Sequence, residues 1–223
     1  MTFGSSQQER YGEITKETAI QILDTFYAGG GNFIDTASVY QTASRKSGSA
    51  SGWFRGGSST KMMIATKYTS AWRLFHKDEI QSNFVGNGTK CMEISCDFTT
   101  SAPEQIHSLN ELVAAGKVLY LGISETPAWV VASADQYARG NGLRLFVLYQ
   151  GMWNAVMRNF ERDIIPMCRA EGMGLAPYRV LNQGRFQRAK GFEEREKHNP
   201  SRKFTPTSSR DKQVSAVLEN ISK

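Results

Sequence analysis

Three residues of this 223-residue chain have the types and spacing to move a proton: Asp35, Tyr40 and Lys67. Asp35 closes a short apolar run, Phe33-Ile34, that follows three glycines, and Tyr40 comes five residues later. A second apolar run, Met62 to Thr66, ends in Lys67. Polar residues leaving the carboxyl ends of adjacent parallel strands are where α/β barrels keep their chemistry. A phenol is a weak acid, with an unperturbed pKa of about 10. A lysine ammonium beside it favours the phenolate and lowers that value. An aspartate holding the lysine keeps the ammonium charged and in place.

The elements that must position these residues can be read in order. The spacing of Ala19, Ile22, Leu23, Phe26 and Tyr27 predicts a helix from Thr15 to Ala28 with one apolar face, capped by Thr15 and closed by Gly29. The Phe33-Ile34 strand is expected to be buried. Residues 41–60 are rich in Ser and Gly and read as a loop. The segment from Lys67 to Lys90 is mixed, and Met92-Glu93-Ile94-Ser95 is a short, weak strand. Ser101 to Ala115 reads as a helix with a Ser101/Glu104 capping box, an Ile106, Leu109, Val113 stripe and a Gly116 stop. Val118 to Ile123 is the strongest strand, ending in Ser124-Glu125. Thr126-Pro127 should open a helix running to about Arg139. Leu145 to Tyr149 is a strand ending in Gln150. Phe160 to Glu171 is a helix with Ile164, Ile165 and Cys168 inward, and Met173 to Ala176 is a strand leading to Pro177-Tyr178. After a charged stretch from Arg188, a last amphipathic turn with Val214, Val217, Leu218 and Ile221 is expected to begin a helix that stops at Lys223.

Strand alternating with helix is the pattern of a parallel α/β fold. Strand ends fall near 35, 67, 123, 150 and 176, mostly 26–32 residues apart, the size of one βα unit. The interval from 67 to 123 is about twice that, so a strand is expected between them.

Composition narrows the class. Hydrophobic content of 40% and charged content of 22% are ordinary for a single globular domain spanning residues 1–223. No apolar run reaches the roughly 18 residues of a membrane span, and Met1 to Ser6 has no basic or apolar leader. Cys91, Cys96 and Cys168 have no metal spacing, and their odd number suits reduced thiols in a cytoplasmic setting. The net charge of +6 reads as a solvated basic surface or as a site for an anionic partner such as a phosphorylated cofactor. No nucleic-acid motif accompanies it.

The runs GGGNFIDTASVYQ, MMIATKYTSAW, ELVAAGKVLYLGISETPAWVV, FERDIIPMCRAEGMGLAP and RKFTPTSSRDKQVSAVLE resemble the aldo/keto reductases. The likeness is to the fungal aryl-alcohol dehydrogenase branch, among its norsolorinic acid reductase-type sequences, and covers most of the chain from about Phe3. The resemblance implies a (β/α)8 TIM barrel. It implies NADP(H)-dependent reduction of a small-molecule aldehyde or ketone, an aryl or polyketide carbonyl of fungal secondary metabolism. Tyr40 would donate the proton, with Lys67 and Asp35 tuning it and Asp35 also bordering the cofactor. Ser124 and Gln150 would hold the nicotinamide carboxamide, with Glu125 standing where the family usually has Asn or Asp. Tyr178 would lie against the ring. The segment Ala176, Pro177, Tyr178, Arg179, Val180, Leu181, Asn182, Gln183, Gly184, Arg185 and Phe186 would line the pyrophosphate.

Three departures from that family are expected. Its active-site histidine follows the strand after the lysine strand, whereas His76, His107 and His198 follow none. A βα unit is expected to be missing between Ser95 and Cys96, together with that histidine. Most of the first strand and the last strand with its 2′-phosphate segment are expected to be missing too, leaving an incomplete barrel. The alternative function is then a catalytically inactive remnant. Plainer roles stay open for single residues: Ser124 and Gln150 as turn residues, Tyr178 as a core aromatic, Trp72, Trp129 and Trp153 as packing. Trp72 could instead line a substrate pocket.

Overall fold

The computed structural model describes residues 14–37, 62–67, 102–188, 190–191, 194 and 207–222. The chain divides into two compact units: residues 1–100 with 199–204, and residues 101–198 with 205–223. The segments 41–60 and 68–101, with the weak Met92–Ser95 strand and the Ser101 half of its capping box, lie outside the described residues.

In the first unit, helix α1 (Lys16–Ala28) begins at Thr15, whose hydroxyl accepts a hydrogen bond from the Thr18 N–H at 3.3 Å. Glu17 lies in its first turn, where a carboxylate complements the positive end of the helix. Gly29 ends it, and Gly30 turns the chain at φ +86°, a region open to glycine. Ala19 and Leu23 are buried as expected, but Ile22 and Phe26 are exposed. The apolar stripe is therefore wider than the surface it buries. Strand β1 (Phe33–Asp35) pairs in parallel with β2 (Met63–Ala65), with Phe33 opposite Met63 and Asp35 opposite Ala65. Phe33 is 40% exposed and Ile34 only half-buried, so the expected burial of the Phe33-Ile34 strand does not hold.

In the second unit, helix α2 (Ala102–Ala114) buries Ile106 and Leu109 and ends at Gly116, whose φ is +68°. Strand β3 (Leu121–Ser124) starts three residues later than its apolar pattern suggests. The reason is local: the N–H groups of Lys117 and Val118 both bond to the Leu112 carbonyl and close helix α2. Helix α3 (Ala128–Gly140) is capped by Pro127, not Thr126, because the Thr126 hydroxyl donates to the Ser124 carbonyl at 3.0 Å. Val131, Ala134 and Ala138 are buried along its inward face. Burying one such side chain as large as Val131 stabilises by about 1.5–3 kcal/mol.

Strand β4 (Phe146–Met152) runs two residues past its expected end, because β5 (Gly174–Tyr178) continues beside it to the Met152–Tyr178 pair. The order is β3-β4-β5, all parallel. The helix expected from Phe160 is instead a 3₁₀ turn (Asn159–Glu161) followed by α4 (Ile164–Glu171). Pro166 explains the break. It has no N–H for the Arg162 carbonyl, and its ring would strike that carbonyl in a continuous helix. The carboxylate of Asp163 caps α4 by accepting from the Ile164 N–H at 2.8 Å. Gly172 closes it at φ +71°.

Helix α5 (Ser209–Ile221) overturns the expected face. Val217 and Ile221 are exposed at 57% and 76%, whereas Asp211 and Ser215 are buried. Its packed side is polar. No described helix is long and apolar enough to cross a membrane.

Candidate active site

In the first unit, Asp35 ends β1 and Lys67 stands two residues past the end of β2. Parallel pairing in register puts the two strand ends side by side. The Lys67 ammonium donates to the Asp35 carboxylate and also to the Thr36 carbonyl at 3.0 Å. The pair is partly solvated, with side-chain exposures of 23% for Lys67 and 35% for Asp35. Its contribution to stability is therefore about 1 kcal/mol or less. What it does is aim the ammonium. Tyr40, the third member of the predicted set, lies outside the described residues.

In the second unit, Ser124, Gln150 and Ala176 are register neighbours: Ser124 closes β3, and Gln150 and Ala176 lie two residues before the ends of β4 and β5. Among the described residues the Ser124 hydroxyl and the Gln150 carboxamide make no hydrogen bond. Both are half-buried. Half-buried polar ends with open bonding capacity on neighbouring strands suit the carboxamide of a nicotinamide.

Glu125 follows at φ +50°, a left-handed conformation. It is held there from both ends. Its N–H donates to the Gln150 carbonyl at 3.1 Å, and its carboxylate accepts from the Met152 N–H at 3.0 Å. The buried Tyr149 phenol donates to the Thr126 carbonyl at 2.6 Å. Burial pushes its pKa up to about 12, so this phenol stays protonated and acts as a strut. Trp153 donates its indole N–H to Glu161 at 2.9 Å, and Arg158 clamps the same carboxylate with two bonds of 2.7 and 2.8 Å. Those hydrogen bonds hold the Glu161 carboxyl below its ordinary range.

At the end of β5, Tyr178 has the Arg179 guanidinium 5.9 Å above its ring centre, within reach of a cation–π contact. The loop that follows contains Val180 and Leu181, both exposed, and a 3₁₀ turn (Asn182–Gly184). Arg179, Asn182 and Gln183 all have positive φ. The Arg185 Nε is buried without a hydrogen-bond partner among the described residues. Arg179 and Arg185 give this loop the positive charge that an anionic ligand such as a diphosphate needs.

Two groups that hold this loop were not identified from the sequence. Asn154 accepts from the Val156 and Met157 N–H groups, each at 2.9 Å, and donates to the Arg179 carbonyl at 3.1 Å. Asp211 accepts from Asn182 at 2.7 Å and completes a capping box with Ser208. Burial raises the Asp211 pKa, but the Ser208 hydrogen bonds, the Arg185 charge and Asn182 outweigh it, and the net direction is down. A signal for the second group existed. Ser208-x-x-Asp211 is a helix-start signature, three residues ahead of Val214, where the apolar pattern begins.

Three comparisons bear on this geometry. The aldo/keto reductase family profile matches residues 1–223. Norsolorinic acid reductase B of Dothistroma septosporum is 50% identical over 99% of this chain and 62% of its own length. Aryl-alcohol dehydrogenase [NADP(+)] of Phanerodontia chrysosporium is 42% identical over 79% of this chain and 52% of its own length. The chain thus spans under two thirds of the length of these relatives. The first alignment has 241 positions against 223 residues here, so at least 18 positions of that relative face no residue of this chain. That family has a (β/α)8 barrel, and parallel strands with polar residues at their carboxyl ends agree with it. The chain belongs to the aldo/keto reductase family.

Proposed function

We propose that the chain carries the site of an NADP(H)-dependent carbonyl reductase acting on aryl or polyketide aldehydes and ketones. The Lys67–Asp35 ion pair at two adjacent parallel strand ends is the observation that carries this reading. Bound NADPH supplies a hydride. The protein's part is the proton. Tyr40 donates it to the carbonyl oxygen as negative charge develops there. Lys67 makes that donation possible near neutrality by favouring the phenolate left behind. Asp35, with the Thr36 carbonyl, fixes its direction. Ser124 and Gln150 hold the carboxamide, Glu125 borders it, Tyr178 faces the ring, and residues 176–186 line the diphosphate. The relatives' names, norsolorinic acid reductase B and aryl-alcohol dehydrogenase [NADP(+)], support the substrate class and the cofactor. A cytoplasmic pool of reduced cofactor is the setting this reading implies, with all 223 residues serving one barrel domain.

A second reading is an incomplete barrel with little turnover. The described histidine, His107, is inside α2 and bonded to the Tyr137 phenol on α3 at 3.1 Å, at no strand end. At least 18 positions of the first relative face no residue of this chain, which is in keeping with a shorter barrel. Without an oriented donor on the carbonyl oxygen, the rate falls on the order of a hundred- to a thousand-fold.

Steady-state NADPH oxidation with aromatic aldehydes tests both. Slow turnover abolished by Tyr40→Phe is the expected result. Turnover unchanged by Tyr40→Phe overturns the assignment of the proton donor. Turnover at rates ordinary for an enzyme, about 10 per second, overturns the incomplete-barrel reading. Binding of NADPH without turnover leaves the remnant reading.

A further inference from the structure

The loop after β5 is tied down at both ends by buried amides. Asn154 is 8% exposed and grips the Arg179 carbonyl at 3.1 Å, where the chain first turns left-handed at φ +55°. Asn182 is 6% exposed at φ +47°, and its amide donates to the Asp211 carboxylate at 2.7 Å. Asparagine is one of the few L-residues that accept this backbone region. One helical turn on from Asp211, the Ser215 hydroxyl donates to the Arg185 carbonyl at 3.1 Å. Asp211 and Ser215 are the buried residues of α5.

Helix capping alone does not account for this arrangement. One oxygen of Asp211 accepts from the Ser208 N–H at 2.9 Å and the Ser208 hydroxyl at 2.8 Å, which completes the cap. The other oxygen is turned onto Asn182, 29 residues away in sequence. An apolar face of α5 was available for packing, with Val217 and Ile221, and it is left exposed.

We propose that the Asn182–Asp211 pair, with Ser215 beside it, is a positioning device that makes α5 part of the nucleotide-binding machinery by holding residues 179–186 in their binding shape. This rests on the reading of residues 176–186 as the diphosphate segment. Nucleotide binding and the order of α5 are then linked, and linkage acts equally in both directions. Bound nucleotide protects α5, and loosening α5 weakens the nucleotide.

The pair can be tested by exchange of its members. Asp211→Ala removes the acceptor, whereas Asp211→Asn alone would leave an amide oxygen for Asn182. Asn182→Asp sets two carboxylates against each other. The double exchange, Asn182→Asp with Asp211→Asn, restores one donor and one acceptor. Asn182→Gly is a further variant that keeps the left-handed backbone accessible and so reports the loss of the bond without added strain. The measurements are NADPH affinity by fluorescence titration and amide hydrogen exchange across residues 209–221, with and without NADPH. Each single variant is expected to bind NADPH on the order of ten-fold more weakly, the size of one hydrogen bond to a charged group. The double exchange should recover most of that loss, and NADPH should slow exchange in α5 only where the pair is intact. Undiminished affinity in the single variants, beside an unaltered chain that binds, overturns the device and leaves the cofactor reading standing. Failure of the double exchange to recover affinity also overturns it. No NADPH binding by the unaltered chain overturns the cofactor reading, and the device with it.

Discussion

The Lys67 ammonium reaches across from β2 to the Asp35 carboxylate at the end of β1, and also bonds the Thr36 carbonyl at 3.0 Å. One cation is thus held by two acceptors from the neighbouring strand. A lone surface lysine would sample many rotamers; this one is directed. The arrangement gives up little stability if broken, because both groups remain partly in water.

Asp35→Asn therefore separates aim from stability. The substitution keeps the shape and removes the charge. Urea denaturation should show a loss of about 1 kcal/mol or less. Carbonyl reduction should fall much further, because the lysine loses the carboxylate that aims it. A large stability loss would show that the ion pair is structural.

Asp135 makes a pH prediction. It is 1% exposed on the inward face of α3, and one oxygen accepts from the Phe146 N–H at 3.0 Å. Its second oxygen has no partner among the described residues. Burial pushes its pKa up, more than the Phe146 bond pulls it down. For a carboxyl raised in the folded state, the cost is nil below the unfolded value of about 3.9 and grows as pH rises through the folded value. Asp135→Asn removes the charge and keeps an oxygen for Phe146. The variant should be more favourable relative to the unaltered chain at pH 7 than at pH 3. Thermal melts across that range would show it, and a pH-independent difference would show that Asp135 is not the titrating group.

Tyr149→Phe isolates the strut under the Ser124–Glu125 turn. The ring should keep its edge contact with Phe160, whose centre is 5.5 Å away. The Thr126 carbonyl loses the phenol that bonds it at 2.6 Å. Denaturation should report a loss of about 0.5–1.5 kcal/mol, the net worth of one hydrogen bond to a part-buried acceptor. Ultraviolet titration should also lose one phenol that ionises near pH 12. No change in that late titration would place the high value elsewhere.

Much of this protein was legible in its residues because the signals are local. Thr15 and Gly29 bound α1, Gly116 stops α2, and Gly172 stops α4, each by chemistry acting within one helical turn. The apolar runs before Asp35, Lys67, Ser124, Gln150 and Pro177 mark parallel strands, and the structure has them. The missed boundaries were also local in origin: the Leu112 carbonyl delaying β3, the Thr126 hydroxyl moving the α3 cap, Pro166 shortening α4.

Tertiary structure alone decided which distant groups meet. The Lys67–Asp35 pair depends on the register of two strands, and no residue type announces a register. The packed face of α5 was misread because hydrophobic spacing marks a face able to be buried, whereas Asp211 and Ser215 are buried for their hydrogen bonds to Asn182 and Arg185. The left-handed run at Arg179, Asn182 and Gln183 was likewise silent in sequence. Its geometry is set by partners 25 and 29 residues away, at Asn154 and Asp211, and a hydrogen bond has no periodicity to read.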